Sequence, residues 1–240
     1  MTTEPLFRED AYLREATATV IAAGPDGIVF DRTVFYAASG GQPGDTGQIR
    51  RADGSTLAVA DTVKGADGAI LHRLADGAAL PAIGETVTAA IDWDRRHRLM
   101  RMHTALHLLC ALIPGAAVTG GAIGDGKGRL DFDLPEAPAK EALTAGLAAL
   151  IAADHPVTTE WISEAALDAN PGLVRTLSVK PPRGAGRVRL VRIGAGDPPV
   201  DLQPCGGTHV RSTGELGRIA IAKVENKGRQ NRRIALVLEG

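Results

Sequence analysis

Two short histidine/cysteine pairs, far apart in the chain, constrain the fold more than any other feature. The first is His103-Thr-Ala-Leu-His107 and the second is Cys205-Gly-Gly-Thr-His209. Residues four apart share one face of a helix, so a helix here would turn both imidazoles to the same side. Cys205 and His209 have the same spacing but sit among glycines, which predicts a turn entering a short helix. Three imidazoles and a thiol form a donor set that suits tetrahedral Zn²⁺. Either pair alone is weak evidence, because four-residue spacing on a helix is more often packing than ligation. The two together predict one zinc ion per chain, held by His103, His107, Cys205 and His209.

The remaining candidates are less suited. His72, His97 and His155 have no partner at ligand spacing and read as surface or structural residues. Cys110 lies three residues after His107. It is expected to pack as a small hydrophobe beside an apolar stripe of Leu99, Met102, Leu106, Leu109 and Ile113. With two cysteines in all, one of them assigned to metal, no disulfide framework is expected. This fits a reducing, cytoplasmic setting. The N-terminus has acidic residues (Glu4, Glu9, Asp10) and no apolar run, so it does not read as a secretory signal. No stretch approaches the length of a membrane span, and a monomer is the expected state.

Charge is divided unevenly. Residues 1–91 carry seven Lys/Arg against twelve Asp/Glu, whereas residues 92–240 carry twenty against sixteen. In the second part Arg175, Lys180, Arg183, Arg187, Arg189 and Arg192 follow one another with no acid between them. A second basic series is Arg218, Lys223, Lys227, Arg229, Arg232 and Arg233. Such series form either a solvated face or a phosphate-binding surface. Aromatic residues make up 3% of the chain, and none are interleaved as a platform for general single-strand binding.

The pattern predicts two domains in an α+β chain: a small β-barrel-like or sandwich-like domain over residues 1–91, then an α+β metal-binding domain over residues 92–240. Strands are expected at 16–22, 27–31, 47–51, 56–63, 69–74 and 85–91, with turns at Gly24-Pro-Asp-Gly27 and Ala52-Asp-Gly-Ser55. Asp92 or Asp94 caps a helix that runs to about residue 113 and stops at Pro114-Gly115. Strands at 116–122 and 128–133, a helix at 138–153, a strand at 157–162 and a short Ser163-capped helix follow. Strands at 188–193, 218–224 and 233–238 complete the set. Helices and strands segregate rather than alternate, hence α+β. The run Gly121-Ala-Ile-Gly-Asp-Gly126-Lys127-Gly128 nearly matches a phosphate-binding P-loop. It lacks the following Ser/Thr and precedes a strand, so it reads as a glycine-rich hairpin.

A third motif narrows the family. The run Thr33-Val-Phe-Tyr-Ala-Ala-Ser39-Gly40-Gly41-Gln42-Pro43-Gly44-Asp45-Thr46-Gly47 resembles the glycine-rich signature of the editing region of alanyl-tRNA synthetases and their free-standing relatives. The context Arg101-Met-His-Thr-Ala-Leu-His matches that family's first metal pair, and Cys205-Gly-Gly-Thr-His-Val with Thr213-Gly-Glu-Leu-Gly-Arg-Ile matches the second. The tail Asn226-Lys-Gly to Arg232-Arg233-Ile234 agrees too. The likeness runs from about residue 15 to the end and is to the medium-length free-standing alanyl-tRNA editing proteins. Ser39 departs from a position often held by glycine in free-standing members, which leaves fine substrate preference open.

The resemblance implies a zinc-dependent aminoacyl-tRNA deacylase that removes serine, and also glycine, from the acceptor end of tRNA for alanine. There is no room for an aminoacylation domain, so no tRNA charging is expected. In that frame His103, His107 and Cys205 are firm ligands, and His209 is either the fourth ligand or a general base. The loop Gly40, Gly41 and Gln42 is expected to approach the metal and meet the serine hydroxyl or the terminal adenosine, and Thr119 is a further substrate-binding candidate. Other readings are a relative that edits Ser-tRNA for threonine, a non-catalytic zinc-stabilised RNA-binding module, and a metallohydrolase of an unrelated ester.

Overall fold

The computed structural model describes residues 3–75, 77–177, 184 and 186–239. The chain divides into two compact units, Met1–His97 and Arg98–Gly240, and its class is α+β.

In the first unit, β-branched and aliphatic residues alternate with polar ones through short runs broken by glycine turns. This period-two pattern buries one face of each strand. The unit opens with β1 (Glu4–Pro5), β2 (Glu15–Gly24), β3 (Gly27–Phe30) and β4 (Arg32–Thr33). It continues with β5 (Gly47–Arg50), β6 (Thr56–Lys64), β7 (Ile70–Leu74) and β8 (Thr86–Ile91). Six of these close into a barrel in the order β2-β3-β7-β6-β5-β8, with every pairing antiparallel. Closure removes the sheet edges. Val20, Ile28, Phe30, Phe35, Ile49, Val59 and Val87 fill the interior. Each fully buried side chain of this kind contributes roughly 1.5–3 kcal/mol.

At the end of the first unit Asp92 Oδ1 accepts the Arg95 N–H at 3.1 Å, which caps α1 (Trp93–Leu112). The helix ends before Pro114-Gly115, where Gly115 adopts φ 78°. The first turn of α1 counts with the barrel unit and the rest with the second unit. The expected apolar stripe is buried, but so is the whole circumference from Met102 to Cys110. α1 is therefore an interior helix rather than an amphipathic surface one. Packing is close enough that a Cβ on Gly128 would stand 2.7 Å from the Met102 side chain.

Around α1 the chain forms β9 (Ala117–Gly124), β10 (Lys127–Asp133), α2 (Lys140–Ala152), β11 (Val157–Ser163) and α3 (Glu164–Asp168). It ends with β12 (Arg187–Ile193), β13 (Asp201–Pro204), β14 (Ile219–Asn226) and β15 (Asn231–Leu238). One sheet has the order β14-β15-β10-β9 and another β11-β12-β13. Ser163 caps α3 by accepting the Ala166 N–H at 3.0 Å. The near-P-loop run forms the β9–β10 hairpin, which turns at Gly126 with φ 71°.

Candidate metal centre

The second unit brings the two pairs together. One donor atom from each of His103, His107, Cys205 and His209 lies within 4.8 Å of all the others. Helix periodicity accounts for the first pair. The second pair gets there differently. Cys205 leaves the end of β13, and residues 205–211 form an irregular loop; the next helical turn, a 3-10 turn, starts only at Thr213. The short helix expected around Cys205-Gly-Gly is therefore absent. Gly206 and Gly207 have little helical propensity, and the loop's polar groups are held by outside partners. Arg189 on β12 donates to the carbonyl oxygens of Cys205 at 2.8 Å and Gly207 at 3.0 Å. The Gly207 N–H donates to Cys205 Sγ at 3.4 Å, and the Val210 N–H donates to Thr104 Oγ1 on α1 at 3.3 Å.

The imidazoles are oriented from behind. His107 Nδ1 lies 2.9 Å from Asp201 Oδ2, so it carries the proton and donates, which leaves Nε2 for the cluster. Gln203 Nε2 donates to the same carboxylate oxygen at 2.8 Å. The 3.2 Å separation of Gln203 Nε2 from His107 Nδ1 is then two donors sharing one acceptor. His209 Nδ1 lies 3.0 Å from Thr104 Oγ1, while its Nε2 is 3.3 Å from Cys205 Sγ. His103 Nε2 is 3.5 Å from the same sulfur. With Nδ1 against Thr104 and Nε2 turned into the cluster, both nitrogens of the His209 ring are engaged.

Electrostatics suit a metal. Burial alone would raise the Cys205 thiol, but the charges of His103 and His209 and hydrogen bonds from His103 and His107 outweigh it and hold the thiol well below its ordinary value. Burial, and next the charge of His103, push His209 well below the usual imidazole range. Burial opposes protonation of His107 as well, yet Asp201 and Cys205 together raise it to about 10. A thiolate and imidazoles with their nitrogens crowded together, in a site nearly closed to water, fit a soft-to-borderline divalent cation such as zinc. Cys110 is outside this set. It is buried, and burial first and the charge of Asp201 next push its thiol up to about 12.

Of the other sequence candidates, the glycine-rich loop belongs to the first unit and Thr119 to the second. Gly40 and Gly41 have φ 58° and 84° and form the centre of a two-residue turn. Ser39 and Gln42 exchange backbone hydrogen bonds across it, at 3.0 and 2.9 Å. Positive φ at both central positions is the type I′ arrangement that glycine favours. Gln42 itself is buried. Two residues on, a Cβ at Gly44 would lie 1.9 Å from the Thr62 carbonyl oxygen. Asp45 then accepts the Tyr36 N–H at 2.6 Å and forms a short ion pair with Arg96, both side chains being fully buried. Arg96 also donates to the carbonyls of Ala11 at 2.9 Å and Val34 at 2.7 Å. This pair, 51 residues apart, was not foreseen, nor were Asp201, Gln203 and Thr104. Only Asp201 and Gln203 carried a signal: two polar residues at alternate positions just before the cysteine.

Thr119 on β9 donates its hydroxyl to the Asp131 carbonyl at 3.1 Å. In the first basic series, Arg175 donates to the carbonyls of Cys110 and Ile113, Arg187 stacks on Trp161, Arg189 holds the cysteine loop, and Arg192 donates to Gly196. Lys180 and Arg183 lie outside the described residues. In the second series, Arg232 is buried against backbone carbonyls, Arg233 is paired with Asp131, and Lys223 and Lys227 flank Glu225. Much of the basic sequence thus serves internal structure. No helix among the described residues is long and apolar enough to cross a membrane.

Residues 188–235 match the family described as threonyl and alanyl tRNA synthetase second additional domain, and residues 9–95 match tRNA synthetases class II (A). The alanyl-tRNA editing protein AlaX-M of Methanosarcina acetivorans is 38% identical, over 98% of this chain and 99% of its own length. That of Saccharolobus solfataricus is 33% identical over 97% of each. The alanine–tRNA ligase of Pyrobaculum aerophilum is 36% identical over 93% of this chain, which corresponds to 25% of the ligase. Identity of this order across almost the entire length of both chains places the protein in the family of alanyl-tRNA editing proteins of the AlaX-M type.

Proposed function

We propose that this chain is a trans-editing hydrolase that cleaves the ester between serine, and secondarily glycine, and the terminal ribose of tRNA for alanine. The observation that carries the reading is the convergence of His103, His107, Cys205 and His209 on one point, in a chain whose near full-length relatives are named as alanyl-tRNA editing proteins. One zinc ion bound by these four residues supplies a Lewis acid that can polarise an ester carbonyl or hold the substrate's amino group. In the reaction a water oxygen adds to the ester carbonyl carbon, the bond to the ribose oxygen breaks, and that oxygen takes up a proton. The products are free serine and uncharged tRNA.

The protein's own part is pre-organisation. Asp201 and Thr104 fix the rings of His107 and His209, and Arg189 fixes the cysteine loop, so little reorganisation accompanies the chemistry. His209 is proposed as the fourth ligand rather than the base, because Thr104 occupies its Nδ1. Gly40, Gly41, Gln42 and Thr119 are proposed substrate contacts. The hydroxyl of serine is the discriminating group. A site that bonds it leaves polar groups unpaired when alanine binds, which is worth up to about 10⁴–10⁵ in selectivity. Contact with tRNA is proposed to be electrostatic, through the exposed cations of the second unit.

The test is deacylation of Ser-tRNA and Ala-tRNA, both of the alanine isoacceptor, by zinc-loaded protein without ATP. The seryl ester is expected to be hydrolysed at least ~10²-fold faster, and Gln42→Ala is expected to lower turnover or selectivity with zinc still bound. Equal rates on the two esters reject proofreading. A second reading has one specific support: four protein ligands close a tetrahedron, as in structural zinc sites. A zinc-stabilised tRNA-binding module would hold its zinc, bind tRNA and hydrolyse neither ester.

A further inference from the structure

We infer that Asp201 is a positioning residue that fixes the ring of His107 and completes the charge of the metal cluster. The inference rests on the zinc reading above and adds a residue to it. Asp201, Gln203 and Cys205 occupy alternate positions along β13 and its continuation, so they share one face. The Cys205 N–H still donates to the Arg189 carbonyl at 3.1 Å, which carries the ladder to the cysteine. A single strand thus presents a carboxylate, an amide and a thiol to the same side.

The carboxylate is nearly inaccessible to water, with 2% side-chain exposure. One of its oxygens accepts from both His107 Nδ1 and Gln203 Nε2. A buried carboxylate is costly unless positive charge compensates it, and these partners are an imidazole and an amide rather than a guanidinium or ammonium. Charge accounting supplies the reason for its presence. A divalent ion bound by one thiolate and three neutral imidazoles leaves a single positive charge in a buried site. Asp201 cancels it. The partner of His209, Thr104, is neutral and orients without adding charge. Asp201 therefore does for His107 two things that Thr104 does not do for His209: it strengthens the ring's electron donation through Nδ1–H, and it neutralises the site.

The test uses full-length, zinc-loaded protein titrated with a chromophoric chelator, with circular dichroism of the zinc-free forms alongside. Asp201→Asn is expected to bind one zinc at saturation but to release it about 10–100-fold more readily than wild type, with Asp201→Glu recovering part of the loss. In cobalt-substituted protein the absorption bands of Asp201→Asn should shift, because the field from His107 changes. Zinc affinity unchanged by Asp201→Asn overturns the inference. So does a zinc-free variant that is unfolded where zinc-free wild type is folded, since the role would then be general support. Wild type that takes up no zinc would remove the metal reading and this inference with it. Tight zinc without hydrolysis of the seryl ester would count only against the editing reading.

Discussion

His72 in the barrel and His107 in the second unit are both buried imidazoles, and the difference between them shows how a structural histidine is told from a ligand. His72 Nε2 meets the Thr33 hydroxyl at 2.8 Å and its Nδ1 meets the Ile28 carbonyl at 3.1 Å. Phe30 and Phe35 pack on its ring. Both nitrogens are occupied by groups that accept or donate in the ordinary way, and burial pushes its pKa down to about 4. His107 is anchored on one side only. Its other edge faces two more imidazoles and a thiol, with ring centroids 5.3 Å from His103 and 4.6 Å from His209. Nitrogens with lone pairs do not hydrogen-bond one another when neutral, so such crowding is stable only with a proton or a cation between them. A saturated histidine holds a fold together. One left half-satisfied among its own kind marks a binding point.

The sharpest way to break this comparison is at the two cysteines. Cys205→Ala should reduce zinc binding below detection and abolish ester hydrolysis, whereas Cys110→Ala should keep full zinc content and lose only packing, about 1 kcal/mol per buried methylene-sized group. Metal analysis after dialysis decides it, and equal zinc in the two variants would erase the distinction between saturated and convergent sites.

Next in size is the barrel's own buried polar pair. Arg96→Met leaves the Asp45 carboxylate uncompensated and should destabilise the protein by about 3–5 kcal/mol. The double change with Asp45→Leu should return part of this. Chemical denaturation measures both, and a single variant as stable as wild type would mean that the pair does not organise the Gly40–Asp45 loop.

The smallest expected effect is the pH dependence carried by His72. Its ordinary value is 6.5 and its folded value about 4, so between those limits the unfolded chain binds a proton that the folded one refuses. The stabilising contribution is complete above pH 6.5 and is lost as pH falls toward 4, amounting to roughly 3 kcal/mol over that window. The difference in denaturation free energy between wild type and His72→Phe, followed from pH 7 to 4, should shift by about that amount. A flat difference would mean that His72 protonates freely in the fold.

How far the sequence discloses all this depends on the range of the interaction. The β2–β3 and β5–β6 hairpins follow from Gly24-Pro-Asp-Gly27 and Asp53-Gly54, because turn chemistry is local. α1 is bounded by Asp92 and Pro114-Gly115 for the same reason. The barrel-like character of the first unit follows from its short strands broken by turns, but which strands close it is not legible, since closure depends on β8 pairing with both β2 and β5, contacts that no local pattern encodes. β13 is hidden by the prolines just before it, at 198 and 199, and by Pro204 as its last residue. The four donors are legible as a set, but spacing misleads about one pair: Cys205 and His209 converge through a loop held by Arg189 and Thr104, not through helical periodicity. The outer partners Asp201 and Thr104 become visible only once β12, β13 and α1 are in place.

That contrast between a helical pair and a looped pair bears on how the family can change in length. Adding one residue to α1 before His103 turns everything after it by about 100° and advances it by 1.5 Å. Both imidazoles would then swing together away from Cys205, and no local adjustment could return them. One residue added at Gly206–Gly207 has flexible backbone to absorb it, with Cys205 still tethered to β12 and Val210 to Thr104. Insertions and deletions among relatives should therefore be excluded between the start of α1 and His107 and be tolerated, if anywhere near the metal, inside the glycine loop.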